Sequence, residues 1–287
     1  MCRPRPQPVV LEQIDTIAAL RARLPHGRAV GLVPTMGALH AGHVALIDAA
    51  RRESDVVVVS IFVNPLQFNN ANDLARYPQT LDADLSVCRD RGVDLVFTPS
   101  AAEMYPQPPE CTVDVGRMAD NLCGKYRPGH FRGVATIVLK LFQIVEPRFA
   151  YFGQKDAQQL AIIKRLTTDF NLPIGIVDVP TVRERDGLAL SSRNQHLNAE
   201  ERRIAASLYG ALTHAATMIR EGGRSAELIR RAAIDMVPQT AALRLEYVEI
   251  VDATTMQPVI EVDGPVCIAG AMWVGATRLI DNVLAMP

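Results

Sequence analysis

Two histidines three positions apart are the residues of this chain best placed to do chemistry. His40 and His43 end the segment Pro-Thr-Met-Gly-Ala-Leu-His-Ala-Gly-His, which covers residues 34–43. An apolar run at 29–33 predicts a strand that ends where this segment begins, and helical spacing predicts a helix over 41–53. The free N–H groups of a helix N-terminus attract anions, and two imidazoles there can donate hydrogen bonds to a reacting phosphate. The segment therefore predicts a phosphate site, which Gly42 would let a base or ribose approach closely.

A plainer explanation is that both histidines are solvated or core side chains, as in most His-x-x-His pairs. Their position between a predicted strand and a predicted helix favours the phosphate site. A zinc site needs a third and usually a fourth ligand, and no Cys or His follows at ligand spacing. We therefore do not expect zinc at this pair.

A second candidate is Ser191-Ser192-Arg193, inside the polar stretch 183–194. Two hydroxyls beside a guanidinium form a compact phosphate-binding set, because the guanidinium fork matches phosphate oxygens. A structural role explains the same residues equally well, with Ser192 capping a helix and Arg193 in solvent. Taken alone, this segment does not decide between the two.

A third candidate is Gly-Gln-Lys-Asp-Ala-Gln-Gln at 153–159, which follows a short predicted strand. Lys155 can meet a phosphate, Asp156 a ribose hydroxyl or a metal ion, and Gln159 a polar substrate. The alternative is a charged helix start with a favourable acidic residue near its N-terminus.

A fourth candidate is Gln67, which follows the predicted strand at 55–63. An amide recognises hydroxyl and carboxylate oxygens without adding charge, although the preceding Asn-Pro pair would make a turn here in any case. Three of the four candidates follow predicted strands of one sheet, and open parallel sheets bind ligands at this carboxyl edge. Together they predict one site for a phosphorylated substrate.

The elements that must position these residues alternate between strand and helix. The β-branched run at 55–63 predicts a strand buried on both faces, as in a parallel sheet covered by helices. The first helix is predicted at 11–24. The alternation predicts an α/β fold, a Rossmann-like doubly wound parallel sheet over residues 1–181. Two long helical stretches and a small set of strands then predict a smaller α+β C-terminal domain over 182–287.

Composition excludes several classes of protein. The chain is 48% hydrophobic with 30 basic and 31 acidic residues, which argues against overall disorder and against nucleic-acid binding. No apolar run approaches the ~20 residues of a membrane span. Five scattered cysteines without a Cys-x-x-Cys pair indicate reduced thiols in a cytoplasmic protein. The proline-rich leader 1–8 lacks the apolar stretch of a signal peptide, and we assign it no role.

These segments resemble the pantothenate synthetase (pantoate–β-alanine ligase) family, a relative of class I aminoacyl-tRNA synthetases and nucleotidylyltransferases. His-x-Gly-His marks only the wider superfamily. The family is indicated by Asn-Pro-x-Gln-Phe at 64–68, Arg-Pro-Gly-His-Phe at 127–131 and Gly-Leu-Ala-x-Ser-Ser-Arg-Asn at 187–194. The late Thr-Arg-Leu-Ile-Asp-Asn at 277–282 completes the resemblance.

The resemblance implies an ATP- and Mg²⁺-dependent ligase that joins (R)-pantoate to β-alanine through a pantoyl adenylate, releasing pyrophosphate and AMP. Catalysis would then rest on His43, His40, Lys155, Ser191, Ser192 and Arg193. The ATP site would comprise Met36, Gly37, Ala38, Leu39, His40, Ala41, Gly42, His43, Gly153, Gln154, Lys155, Asp156, Val182, Leu190, Ser191, Ser192 and Arg193. Gln67 and Gln159 would hold pantoate, and the Mg²⁺ ligands stay unassigned. The resemblance also implies a homodimer whose C-terminal domain covers the active site.

Other functions account for part of the pattern. A nucleotidylyltransferase shares His-x-Gly-His and Ser-Ser-Arg, but it gives no reason for the paired Gln67 and Gln159 and would stop at an adenylylated product. A nucleotide-sensing module without turnover would not require several charge-stabilising donors. An RNA ligand would require a basic patch, which the sequence lacks.

Overall fold

The computed structural model describes residues 11–287, with the backbone alone at 71–72. The leader 1–8 therefore lies outside the described residues. The described chain divides into two compact units. The parallel-sheet unit comprises 11–114, 132–152 and 166–179, and the antiparallel-sheet unit comprises 115–131, 153–165 and 180–287. The domain division predicted at residue 181 stays a prediction, and the second unit takes in two segments from before that residue.

The strands form two sheets. In chain order they are β1 Glu12–Ile14, β2 Val30–Thr35, β3 Val56–Ile61, β4 Leu95–Phe97, β5 Phe149–Gly153, β6 Gly175–Val179, β7 Leu243–Asp252, β8 Val266–Val274 and β9 Thr277–Ala285. The first six make a parallel sheet in the order β1-β4-β3-β2-β5-β6. The last three make an antiparallel sheet in the order β7-β8-β9. The predicted doubly wound α/β fold with a smaller α+β part is confirmed.

The helices connect and cover these strands. They are α1 Ile17–Arg23, α2 Ala41–Glu53, α3 Ala71–Ala75, α4 Leu81–Asp90, α5 Ala101–Met104, α6 Leu122–Tyr126, α7 His130–Val145, α8 Ala157–Asp169, α9 Ala199–Arg220 and α10 Ala226–Asp235. Short 3-10 helices lie at Pro65–Gln67, Gly116–Ala119, Gln154–Asp156 and Ser192–His196. Within residues 11–287, every helix is too short or too polar to cross a bilayer.

Each unit has its own apolar core. In the parallel-sheet unit, Val57 and Val59 of β3 pack with Ile47 and Ala50 of α2. All residues of β3 from Val56 to Ser60 are buried, as is typical of a strand in a parallel sheet covered on both faces. In the antiparallel-sheet unit, apolar residues of α9 and α10 pack against the three-stranded sheet.

Two sequence predictions miss strands. The helix predicted at 11–24 is wrong at its start, because residues 12–14 form β1, in which Glu12 pairs with Leu95 of β4. Thr16 then caps α1 by accepting a hydrogen bond from the Ala19 N–H at 3.2 Å. The strands predicted near the C-terminus do not include β9. The structure shows that β9 pairs with β8 along its whole length.

Candidate active site

The loop between β2 and α2 is held by one buried carboxylate. Gly37 and Ala38 have φ angles of 82° and 51°, a left-handed conformation that costs Gly little and Ala more. Asp84, only 2% exposed, accepts the Ala38 N–H at 3.0 Å and the Leu39 N–H at 2.8 Å. Thr80 donates a third bond to it at 3.3 Å. Asp84 thereby fixes the approach to the histidine pair, and the sequence analysis did not single it out.

The two histidines cap α2 with their own rings. His40 Nδ1 accepts the Gly42 N–H at 3.1 Å, and His43 Nδ1 accepts the His40 N–H at 3.2 Å. The ring centroids are 4.2 Å apart. Because each Nδ1 is an acceptor, each neutral ring carries its proton on Nε2. Each ring of the pair thus carries an Nε2–H group, which is a hydrogen-bond donor.

This capping changes two details of the sequence prediction. The N–H groups of His40 and Gly42, expected to be free for an anion, are bonded to the imidazoles. Gly42 has no Cβ, and this leaves room for the His40 ring that caps the helix. A Cβ at this position would lie 2.8 Å from His40 Cε1. The close approach at Gly42 is made by the His40 ring.

Gln67 lies beside Met36 within the parallel-sheet unit. Its Nε2 donates to Met36 Sδ at 3.0 Å, and its Oε1 accepts from Asn64 Nδ2 at 3.1 Å. Asn64 is 1% exposed and also accepts the Tyr105 hydroxyl at 2.9 Å. The sequence analysis treated Asn64 as part of a turn and of the family motif, whereas the structure shows that it also bonds to the Gln67 amide.

A cavity of about 310 Å³ opens at the carboxyl edge of the parallel sheet. Met36 and Gly37 form part of its wall, with Phe62 as an apolar surface and Thr80 and Asp84 as polar ones. Among the described residues that line it, none is Lys or Arg. The cavity adjoins the loop held by Asp84, and its volume suits a small organic substrate.

Lys155, Asp156 and Gln159 line one cavity in the antiparallel-sheet unit. Lys155 Nζ lies 3.9 Å from Asp156 Oδ2. The backbone of this turn is bonded to Asn282, whose Nδ2 donates to the carbonyls of Gln154 and Lys155, each at 2.9 Å. The segment 153–159 therefore consists of the end of β5, a 3-10 turn and the start of α8, and its polar side chains from 155 to 159 line the cavity.

Two further residues of this cavity belong to the segment 127–131. Arg127 and His130 line it together with Lys155, and an Arg127 Nη atom lies 3.1 Å from His130 Nε2. Burial lowers the pKa of Arg127 below its usual value. The sequence analysis used these residues only to support the resemblance and did not predict that they line a cavity together with Lys155.

The stretch 182–194 is a folded turn. The Leu190 N–H donates to the Val182 carbonyl at 3.0 Å. Ser191 Oγ accepts the Arg193 N–H at 3.3 Å and caps the 3-10 helix that follows. The predicted cap at Ser192 is therefore wrong by one residue, because the helix starts at Ser192. Arg193 is exposed.

The residues present fit a Mg²⁺ that enters with a nucleotide. Among residues 11–287, no group of three His, Cys, Asp or Glu side chains could hold a metal ion. Mg²⁺ is commonly bound by one or two carboxylates together with substrate phosphates. Asp156, with its side chain 48% exposed, supplies one such carboxylate beside the proposed phosphate ligand Lys155.

The predicted residues thus form one group in each unit. His40, His43, Met36 and Gln67 belong to the parallel-sheet unit, and the segments 153–159 and 182–193 to the antiparallel-sheet unit.

A family model described as pantoate-beta-alanine ligase matches residues 9–284. The chain belongs to the pantoate–β-alanine ligase family. This confirms the resemblance to that family. The match includes all the candidate residues in both units.

Two curated relatives of this chain differ from each other in length. A bifunctional pantoate ligase/cytidylate kinase of Synechococcus elongatus is 53% identical over 95% of this chain. The chain spans only 53% of that relative, about half of its length. A pantothenate synthetase of Moorella thermoacetica is 51% identical over 96% of this chain and 98% of its own length.

Solved structures of the same family share the fold. Pantothenate synthetase from Thermus thermophilus superposes with a TM-score of 0.91 at 44% identity, over 96% of this chain and 99% of that one. The pantoate-beta-alanine ligase from Francisella tularensis, complexed with beta-gamma ATP and beta-alanine, has a TM-score of 0.79 at 36% identity. Its match covers 96% of this chain and 98% of that one.

Proposed function

We propose that this chain condenses (R)-pantoate with β-alanine in an ATP-dependent reaction. A pantoate carboxylate oxygen attacks the α-phosphorus of ATP, and pyrophosphate leaves with the electron pair of the broken P–O bond. The β-alanine amine then attacks the acyl carbon, AMP leaves, and the nitrogen loses a proton. The products are pantothenate, AMP and pyrophosphate. The observation that carries this proposal is the histidine pair at the start of α2, where each Nδ1 accepts a backbone N–H and each neutral ring therefore carries its proton on Nε2.

The histidine pair suits the first step because negative charge accumulates on phosphate oxygens as the P–O bond forms. Donors fixed in advance stabilise the transition state more than the ground state. His40 and His43 are fixed by their Nδ1 bonds to the backbone at 3.1 and 3.2 Å. We assign His43 the catalytic contact and His40 a phosphate contact beside it.

The remaining assignments follow the resemblance. In the parallel-sheet unit, Met36–His43 would bind ATP, and Gln67 would hold pantoate through the amide that Asn64 orients. In the antiparallel-sheet unit, Gly153–Asp156, Val182 and Leu190–Arg193 would contribute the other nucleotide contacts, with Gln159 a second amide for pantoate. Lys155, Ser191, Ser192 and Arg193 would bind phosphate oxygens during the reaction.

Asp156 would hold a Mg²⁺ that enters with ATP, and this ion would supply positive charge against the phosphates. We also propose that the chain acts in the cytoplasm as a homodimer. The Francisella relative's complex with beta-gamma ATP and beta-alanine supports ATP and β-alanine as substrates of this chain.

The test is pyrophosphate exchange into ATP with D-pantoate and Mg²⁺ but no β-alanine. Exchange that depends on pantoate, followed by AMP release when β-alanine is added, is the expected result. An enzyme that makes an adenylylated end product would give no AMP on addition of the amine. Absence of both exchange and AMP formation in the complete reaction would overturn the proposal.

A further inference from the structure

Two neighbouring residues of β9 bind the two backbone segments of the antiparallel-sheet unit that carry proposed ATP ligands. Asn282, 7% exposed, donates both hydrogens of its amide to the Gln154 and Lys155 carbonyls, each at 2.9 Å. These carbonyls belong to the 3-10 turn that carries the Lys155 side chain. Asn282 thus holds the first segment through its backbone.

Asp281 holds the second segment through Arg183. The carboxylate of Asp281, 5% exposed, meets the Arg183 guanidinium in a two-bond pair of 2.6 and 2.9 Å. Arg183 also donates to the Gly187 carbonyl at 3.0 Å and stacks on the Tyr209 ring at 3.7 Å. Since Val182 and Leu190 are joined by a backbone bond, this ion pair fixes the base of the 182–193 turn.

The pair is arranged to reach both segments from one strand. Successive side chains of a strand point to opposite faces, so Asp281 and Asn282 address different neighbours. The Asn282 backbone is bonded to the ion pair as well, because its N–H donates to Asp281 Oδ1 at 2.8 Å and its carbonyl accepts from Arg183 at 3.2 Å. Asp281 also pairs with the charge of Arg183. Lys155 and Arg193 are the cations of these segments that the proposed function places against ATP.

We propose that Asp281 and Asn282 are positioning residues that hold the Lys155 turn and the 182–193 turn in the geometry that binds ATP. The proposal rests on the proposed function only in that these two turns bind ATP. Phosphate ligands must be held within a fraction of an ångström of their working positions. Because Asp281 and Asn282 are neighbours on one strand, they fix the positions of both turns relative to that strand.

The first experiment is a double-mutant cycle on ATP affinity, measured by calorimetry with full-length protein. Asn282→Ala, Lys155→Ala and the double variant are compared with wild type. We expect each single variant to weaken ATP binding by about tenfold, the value of one charge-assisted hydrogen bond. The double variant is expected to bind no weaker than Lys155→Ala, within twofold, because Asn282 acts through Lys155.

The control is Leu279→Ala on the same strand. Leu279 is a buried core residue, so its truncation lowers stability without removing a bond to either turn. We expect its ATP affinity to stay within twofold of wild type at a temperature where all variants are folded. If Asn282→Ala does not fold, Asp281→Asn replaces it, with Arg183→Lys as the cycle partner.

The outcomes separate this proposal from the proposed function. ATP affinity that is unchanged in Asn282→Ala, or effects that add in the double variant, would overturn the positioning role. Wild type that does not bind ATP would overturn it as well. If wild type binds ATP but shows no pantoate-dependent exchange, the proposed reaction is overturned. The positioning role is then still decided by the double-mutant cycle on ATP affinity.

Discussion

His43 illustrates how a single side chain serves both fold and chemistry. Its Nδ1 caps the N-terminus of α2, and its Nε2–H is the proposed donor to the reacting phosphate. We expect His43→Ala to lower the rate of pantoate-dependent exchange by about 10²–10³-fold, as for loss of one oxyanion donor. His214→Ala, at an exposed position of α9, is the control. A rate above half of wild type in folded His43→Ala would remove His43 from catalysis.

Asp84 makes a second prediction at the scale of the residue. Asp84→Asn keeps the shape of the side chain but sets an NH₂ group against one of the two backbone N–H donors of the loop. We expect the free energy of unfolding to fall by about 1–3 kcal/mol and the exchange rate to fall with it at temperatures where the protein is folded. Urea unfolding and the exchange assay measure the two effects.

Asp82→Asn is the matched control, because Asp82 is exposed on the same helix α4. It is expected to change neither quantity. An Asp84→Asn variant with wild-type stability and rate would show that the loop keeps its conformation without the carboxylate.

At the scale of the element, we expect that a substitution at the start of α2 can lower activity without lowering the stability of the protein. Ala is a better helix former than Gly by roughly 1 kcal/mol, but a Cβ at position 42 would collide with the His40 ring. We expect Gly42→Ala to lower the exchange rate by about tenfold or more, because a misplaced donor loses most of its effect. Thermal unfolding is expected to show little net change, because the gain in helix propensity offsets the loss of the His40 cap, each about 1 kcal/mol.

Gly210→Ala in α9 is the control, since a Cβ there meets no atom within 4 Å. It is expected to leave the exchange rate unchanged. A fully active Gly42→Ala would mean that the position of the His40 ring is not required for the first step.

The antiparallel sheet is joined across its three strands by Glu246 of β7. Its carboxylate accepts from Trp273 Nε1 of β8 at 3.0 Å and from Arg278 Nε of β9 at 2.9 Å. Burial by itself would raise the pKa of Glu246, but the bonds from Arg278 and Trp273 outweigh it and lower that pKa. A carboxylate with a lowered folded-state pKa stabilises the fold above its unfolded-state pKa and loses that effect as pH falls.

We therefore expect Glu246→Gln to reduce the free energy of unfolding at neutral pH by about 1–3 kcal/mol. The difference from wild type should shrink as the pH falls below the usual glutamate pKa of about 4.3. Urea unfolding across this range measures it, with Glu249→Gln on the same strand as control. A difference that does not depend on pH would contradict the role of the ionised carboxylate.

At the scale of the whole molecule, large apolar side chains of the antiparallel-sheet unit are exposed: Leu228, Met236, Ile260, Leu284 and Met286. Together with the family resemblance, they lead us to expect a homodimer in solution. Light scattering should give twice the chain mass of 31.4 kDa. A mass equal to one chain across micromolar concentrations would contradict this.

The sequence predicted those parts of the fold whose signal is local. The β-branched run of β3 and the helical spacing of α2 are readable within a dozen residues. β1 is not, because it exists only through pairing with β4, some 80 positions away in the chain. The same holds at the site: the histidine pair is a short motif, whereas Asp84 meets its loop across 45 and 46 positions and Asn282 meets Lys155 across 127.

The double cap formed by the imidazoles has a consequence for acidic solution. Each Nδ1 must keep its lone pair to receive a backbone N–H, so a proton added there would set two donors against each other. The ring that gains the proton would have to turn away, and the first turn of α2 would lose its cap with it. The cap of α2 and the two proposed Nε2–H donors therefore depend on the same protonation state of the rings.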